Sequence, residues 1–319
     1  MAADCHLRRR TRAHILALLP LASTQEKNSV MAEAFPIVIT GASSGIGKAA
    51  ALRFARTNRP LVMICREGPK ARAAHAEIIR LTGNQAVELE TADLASQAQI
   101  RAVAQAIRDK HAGIAALVNN AGISSPERRL SPDGIELTFA VNHLAPFLLT
   151  NLLLDRLRAG APARVITVSS DLQRPLRLDD LARNKRYSPT EVYGETKLAN
   201  ILFTFELARR LAGSRVTANA LAPGFLRTAI TRHASRGKRA LFSVLGVFVM
   251  ESADKGGARI AHLALAPELA STSGEFFVKS QPAKASAPAY DEALAAQLWA
   301  MSERLTGLTP APVIDAAAE

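Results

Sequence analysis

The sequence predicts a single α/β unit built on a doubly wound parallel sheet of about seven strands with helices on both faces. Three observations predict it. Short, continuous runs of β-branched and aliphatic residues alternate with longer stretches whose apolar residues recur at helical spacing. No linker rich in proline, glycine or serine and no internal repeat interrupts that alternation after Pro36. The first apolar run also turns into its helix through a glycine-rich segment, as a phosphate-binding crossover requires.

In chain order, the apolar runs place strands at Ile37–Thr40, Leu61–Cys65, Ala86–Leu89, Ala116–Asn119, Arg164–Ser169, Val216–Ala220 and Glu275–Val278. Helical spacing places helices at Gly45–Thr57, Lys70–Thr82, Ser96–His111, Gly134–Arg158, Glu191–Leu211 and Ala253–Leu265. Strands buried on both faces and joined by helices imply right-handed parallel crossovers.

Composition narrows the functional class. The 319 residues are 48% hydrophobic and 21% charged, with mean hydropathy +0.07, which excludes disordered and fibrous classes. Two cysteines, Cys5 and Cys65, supply no disulfide framework or cysteine-based metal site, and a reducing, cytoplasmic setting is expected. The 40 basic against 28 acidic residues give a net charge of +12, which favours an anionic ligand, acidic lipid or nucleic acid. No nucleic-acid module accompanies the charge, so nucleic acid is not expected as a partner. The apolar stretch Leu241–Met250, broken by Ser243 and Gly246, is far short of a spanning helix.

Residues 1–34 read as a disordered basic extension, with Arg8, Arg9, Arg10 and Arg12 before a short apolar run that Pro20 interrupts. The layout faintly resembles a targeting peptide, but Asp4 is acidic, and Met31 leaves a misassigned start equally open. Residues 35–307 form the expected domain, and 308–319 a flexible tail.

Directly after the first strand stands Thr40-Gly41-Ala42-Ser43-Ser44-Gly45-Ile46-Gly47. A strand turning into a helix can present bare N–H groups and the helix's positive end to a pyrophosphate only if side chains leave room. Glycines meet that need.

This turn resembles the nucleotide-binding turn of the classical short-chain dehydrogenase/reductases. The resemblance continues through Asp93, Asn119-Asn120-Ala121-Gly122, Asn142, Ser170, Tyr193-x-x-x-Lys197 and Pro223-Gly224. It implies a Rossmann-type fold and a nicotinamide dinucleotide held by Gly41, Ser43, Ser44, Gly45, Ile46 and Gly47. Asp93 would meet the adenine, and Asn119, Ala121 and Gly122 would line the cofactor groove. Pro223, Gly224 and Thr228 would lie along the nicotinamide. Arg66, at the end of the second strand, is placed to take a 2′-phosphate, so NADP(H) is expected over NAD(H), although the neighbouring Glu67 weakens the inference.

Tyr193 and Lys197 stand four apart and so share one helix face. A free phenol is too weak an acid to act as a base at neutral pH, and a nearby ammonium or oxidised nicotinamide lowers its pKa. The pair reads as a proton switch. Ser170 ends the fifth strand, where such sheets place ligands, and the resemblance favours it over Ser169 as the group that holds the substrate oxygen. The resemblance also implies that Asn142 supports a water-mediated proton path to Lys197, and that Lys197 holds the nicotinamide ribose.

The long interval from Ser170 to Tyr193, with Lys197-Leu198-Ala199-Asn200 and the later Gln297-Leu298-Trp299, resembles the retinol dehydrogenase-like branch. That branch implies a small lipophilic alcohol or carbonyl as substrate, and the family implies a homo-oligomer. Residues 225–250 read as a substrate lid carrying Arg227, Arg232, Arg236, Lys238 and Arg239. Peripheral membrane contact or an anionic lipophilic substrate would suit it, but a solvated lid packed on the pocket is the favoured reading. His143 and His233 lack metal-ligand spacing and read as core or surface residues. The alternatives to an NADP(H)-dependent oxidoreductase are a catalytically silent NADP(H)-sensing module and, disfavoured by the glycine spacing, a sugar-nucleotide epimerase.

Overall fold

Ile37, Val38 and Ile39 have no accessible surface, because the strand they form lies inside the sheet with helices on both sides. The computed structural model describes residues 35–183, 186–224 and 252–308. Its strands are β1 (Ile37–Thr40), β2 (Leu61–Cys65), β3 (Val87–Thr91), β4 (Ala116–Asn119), β5 (Ala163–Val168), β6 (Val216–Ala222), β7 (Phe276–Val278) and β8 (Gln281–Pro282). They run in the order β3-β2-β1-β4-β5-β6-β7-β8. Every pairing is parallel except the last, β7 with β8. The predicted single parallel sheet is therefore present, with one short antiparallel strand added. Gln281 and Pro282 are exposed, so β8 leaves no apolar run in the sequence.

Strand alternation divides the core between two faces. Ile37, Ile39, Met63, Val118 and Ile166 point to one, where they meet α1 (Gly45–Ala55), α2 (Pro69–Thr82) and a later helix at Ala253–Leu265. Val38, Val62, Leu117 and Val165 point to the other, where they meet α3 (Gln97–Lys110).

Spacing predicts one helix over 134–158, but the structure divides that stretch. A single turn at Leu137–Phe139 passes into a π-turn at Ala140–Leu144, then α4 (Ala145–Leu152) and α5 (Leu154–Ala159). Glu136 accepts the N–H groups of Thr138 and Phe139 and so fixes a later start. Pro146 has no N–H to give the carbonyl of Asn142, so regular α-winding cannot hold there. The π-turn carries Asn142 and His143 inward, both with no accessible surface.

The long helix α6 (Pro189–Arg210) supports the second face, followed by α7 (Ala253–Leu265) and α8 (Glu292–Thr306). Sequence spacing does not single out α8, because its buried positions include Ala295, Ser302 and Thr306 beside Leu298 and Trp299. Its ends are nevertheless written in the chain: Asp291 accepts from Leu294 N–H, and Gly307 closes the helix at φ 61°. Trp299 stacks on Phe203 of α6 at 5.9 Å and meets Phe147 of α4 edge-on at 4.9 Å. The C-terminal helix thus lies over α4 and α6.

Candidate active site

The carboxyl ends of the parallel strands collect every described candidate residue. Thr40 leads into Gly41, Cys65 into Arg66, Asn119 into Ala121 and Gly122, Val168 into Ser170, and Ala222 into Pro223 and Gly224. Parallel pairing makes this convergence obligatory once the order of the strands is set.

The turn after β1 is held from β4. Thr40 Oγ1 accepts the N–H groups of Asn120 and Ala121, each at 3.0 Å, and Asn120 Nδ2 donates to the Thr40 carbonyl at 2.8 Å. Gly41 has φ 70°, and Gly47 lies so close to it that a Cβ on Gly47 would stand 2.4 Å from the Gly41 carbonyl oxygen. Gly45 has φ 58° and open space before it. Ser44 makes no side-chain cap to α1, and the helix has no acidic residue in its first turn, so its N–H groups and positive end face outward. Burial pushes the pKa of the Cys65 thiol up to about 11, against smaller lowering by Ala42 and Ser43. Asn119 Oδ1 and Asn120 Oδ1 are buried without a partner among the described residues. Uncapped amides, open space at Gly45 and the orphaned Asn120 Oδ1 beside the turn fit a dinucleotide lying along this edge.

Around that groove the other candidates are less uniform. Arg66 is exposed and Glu67 is paired with Arg72. Asp93 is spent on the local turn, accepting Ala95 N–H at 3.0 Å, and remains partly exposed. Asn119 points into the helix layer, where Nδ2 donates to Thr150 Oγ1 at 2.9 Å. Gly224 has φ 87°, and the carbonyl of Pro223 accepts from Arg259 at 2.6 Å. Thr228 and the 225–250 lid lie outside the described residues, as does His233.

On α6, Lys197 Nζ lies 5.3 Å from the centre of the Tyr193 ring and donates to the Val168 carbonyl at 3.0 Å. Ser170 is near enough to the Tyr193 hydroxyl to lower its pKa. Ser169 instead donates to the Lys197 carbonyl at 2.6 Å, so of the serine pair only Ser170 meets the tyrosine. Asn142 is occupied on both sides: Oδ1 accepts Ile123 N–H at 2.7 Å, and Nδ2 reaches the Ile123 carbonyl and Thr196 Oγ1 at 2.9 and 3.0 Å. It braces the loop after β4 against α6. A Cβ on Gly122 would lie 3.4 Å from Asn142 Oδ1 and 3.5 Å from Lys197 Nζ.

One expectation is reversed in this pocket. The sequence predicts a phenol made more acidic by its ammonium neighbour, yet burial pushes Tyr193 up to about 12, against a smaller lowering by Ser170. Burial also draws Lys197 down to about 8. Desolvation therefore outweighs the neighbouring charge in the pocket as it stands. His143 is a core residue: burial draws it to about 3, and Nε2 meets Ser302 Oγ at 2.9 Å.

Sequence reasoning passed over Thr40, Asn120 and Thr196, which hold the site rather than line it. Thr196 donates to the Tyr193 carbonyl at 2.7 Å, and its place three residues after Tyr193 was the available signal. Among the described residues no group of His, Cys, Asp or Glu could hold a metal, and no helix is long and apolar enough to cross a membrane.

The profile of the short chain dehydrogenase family matches residues 36–239. Human (Homo sapiens) retinol dehydrogenase 13 is 42% identical over 280 residues, covering 85% of this chain and 84% of its own. The crystal structure of an uncharacterized protein from Mycobacterium Paratuberculosis superposes with a TM-score of 0.69 at 37% identity, over 86% of this chain and 93% of the other. The Pseudomonas aeruginosa RhlG/NADP active-site complex superposes with a TM-score of 0.62 at 26% identity, over 76% and 94%.

Proposed function

The chain belongs to the short chain dehydrogenase family, and on that premise we propose that it is an NADP(H)-dependent oxidoreductase interconverting a lipophilic alcohol and its ketone or aldehyde. The observation that carries this reading is that Tyr193 and Lys197 share one face of α6, the ammonium 5.3 Å from the ring centre, beside Ser170 and an uncapped glycine turn at the same sheet edge.

The dinucleotide supplies the hydride. Gly41, Ser43, Ser44, Gly45, Ile46 and Gly47 cradle its pyrophosphate with backbone amides, and Arg66 meets a 2′-phosphate, with Glu67 already neutralised by Arg72. Asp93, Asn119, Ala121, Gly122, Pro223, Gly224 and Thr228 border the remaining groove.

Ser170 holds the substrate oxygen, and Tyr193 gives it a proton in reduction or takes one in oxidation. A phenol pushed to about 12 is protonated at neutral pH, which is the form that carbonyl reduction requires. Lys197 orients the nicotinamide ribose, and its charge favours the phenolate when oxidation runs. The lipophilic substrate class rests on the likeness to retinol dehydrogenase 13, and the NADP(H) preference on Arg66 and on the RhlG/NADP complex. A cytoplasmic setting belongs to the same proposal and rests on the scarcity of cysteine, two in 319 residues.

The test is NADPH consumption over a panel of lipophilic aldehydes and ketones. Steady oxidation is the expected result. Tight NADPH binding without turnover on any member would instead indicate a silent dinucleotide-sensing module.

A further inference from the structure

Between Tyr193 and Lys197 on α6 stands Glu195, 2% exposed, on a side of the helix that the reaction scheme does not use. Its carboxylate takes Arg177 through Nε at 3.0 Å and Nη2 at 2.8 Å, and on its other oxygen takes Arg183, which is itself 3% exposed. Both arginines belong to residues 171–183, the segment that leaves Ser170 at the end of β5 and leads toward α6. Glu195 and Arg183 are buried charges of the kind retained only when paired, while Arg177 reaches Glu195 from a side chain that is 40% exposed.

The same strap is fastened at further points. Arg174 N–H donates to the Gly194 carbonyl at 3.2 Å, and a Cβ on Gly194 would stand 2.6 Å from Arg174 Cγ, so glycine leaves the seat in which the strap lies. Leu176, Leu178 and Leu181 pack on the apolar cluster that holds Leu198 and Leu202 of α6. Gln173 Oε1 accepts Ser286 N–H at 2.8 Å. At the strap's start, Leu172 N–H donates to Ser170 Oγ at 3.1 Å. That bond fixes the direction of the hydroxyl that meets Tyr193.

We propose that Glu195 is a positioning residue for the catalytic pair: by clasping Arg177 and Arg183 it fixes the 171–183 strap on α6, and the strap's Leu172 N–H holds the Ser170 hydroxyl toward Tyr193. Tyr193, Gly194 and Glu195 thus serve in succession as proton carrier, strap seat and clasp. The inference rests on the catalytic reading given above and names a residue that this reading does not require.

The test combines kinetics and exchange on the full chain, with NADPH and decanal. Glu195→Gln is expected to lower kcat/KM at least twenty-fold while the NADPH dissociation constant stays within twofold, and Glu195→Asp, which keeps the carboxylate, is expected to recover most of the loss. Adding Glu195→Gln to Ser170→Ala is expected to cost nothing further, because the clasp acts through that hydroxyl. Amide exchange should quicken at least tenfold over residues 172–183 and stay unchanged in α6. Multiplicative losses in the double variant, or a strap whose exchange does not change, would overturn the proposal. Absence of turnover in the unmodified protein on decanal and on every other lipophilic aldehyde and ketone of the panel would instead overturn the oxidoreductase reading, while the exchange measurement still decides whether Glu195 clasps the strap.

Discussion

Lys197 Nζ and the Tyr193 ring centre lie 5.3 Å apart on one face of α6, but the ammonium gives its hydrogen bond to the Val168 carbonyl rather than to the phenol. The pair is close without being bonded, and burial drives the two groups toward their neutral forms. A lysine drawn from 10.5 to about 8 on folding is a cost to the fold wherever it must carry charge.

That cost has a sign and a window. The unfolded chain binds the Lys197 proton more tightly, so stability rises as pH climbs from about 8 to 10.5 and the burden is full below 8. Lys197→Met is expected to stabilise the protein at pH 7 by roughly 1–3 kcal/mol while removing turnover. Urea unfolding at pH 7 and pH 10 checks this: the variant's advantage should shrink at the higher pH.

Gly47→Ala places a methyl group 2.4 Å from the Gly41 carbonyl and Asn120 Nδ2, so the phosphate turn must shift. Dinucleotide affinity is expected to fall at least tenfold, about 1.4 kcal/mol. Gly45→Ala meets no neighbour and carries only its φ of 58°, which costs the fold roughly 1 kcal/mol. Calorimetric titration with NADPH, beside melting curves, separates lost affinity from lost stability.

Arg66→Ala is expected to lower the preference for NADPH over NADH by about 1.5–3 kcal/mol, the range for a hydrogen bond to a charged group. Arg72→Ala acts in the same direction by releasing Glu67 near the ribose. The ratio of the two dissociation constants is the measurement, and an equal loss for both dinucleotides would argue against a 2′-phosphate contact.

His143, drawn from 6.5 to about 3, works in the acid range. The unfolded chain binds its proton first, so stability declines as pH falls from about 6.5 toward 3. His143→Gln is expected to flatten that limb of the stability curve, by several kcal/mol at its acid end, with denaturant midpoints between pH 4 and 7 as the check.

The sheet was legible because buried parallel strands must be continuously apolar, as Leu61–Cys65 and residues 116–118 are. The glycine turn and the Tyr193/Lys197 pair were legible because their chemistry fixes their spacing. What escaped had no local signature. The π-turn at Asn142 follows from the missing N–H of Pro146 four residues later, not from any change in hydrophobic period. The last helix buries Ser302 and Thr306 where a pattern reader expects leucine. The raised phenol of Tyr193 depends on how much protein surrounds it, which sequence spacing does not encode. Glu195 reads as an ordinary helix-surface carboxylate until Arg177 and Arg183 fold over it.

The central claim is that Tyr193 moves the proton, and the most direct test is Tyr193→Phe assayed for NADPH oxidation with a lipophilic aldehyde alongside NADPH binding by fluorescence. The account predicts turnover lowered at least a thousandfold with binding unchanged. Turnover within tenfold of the unmodified protein would contradict it.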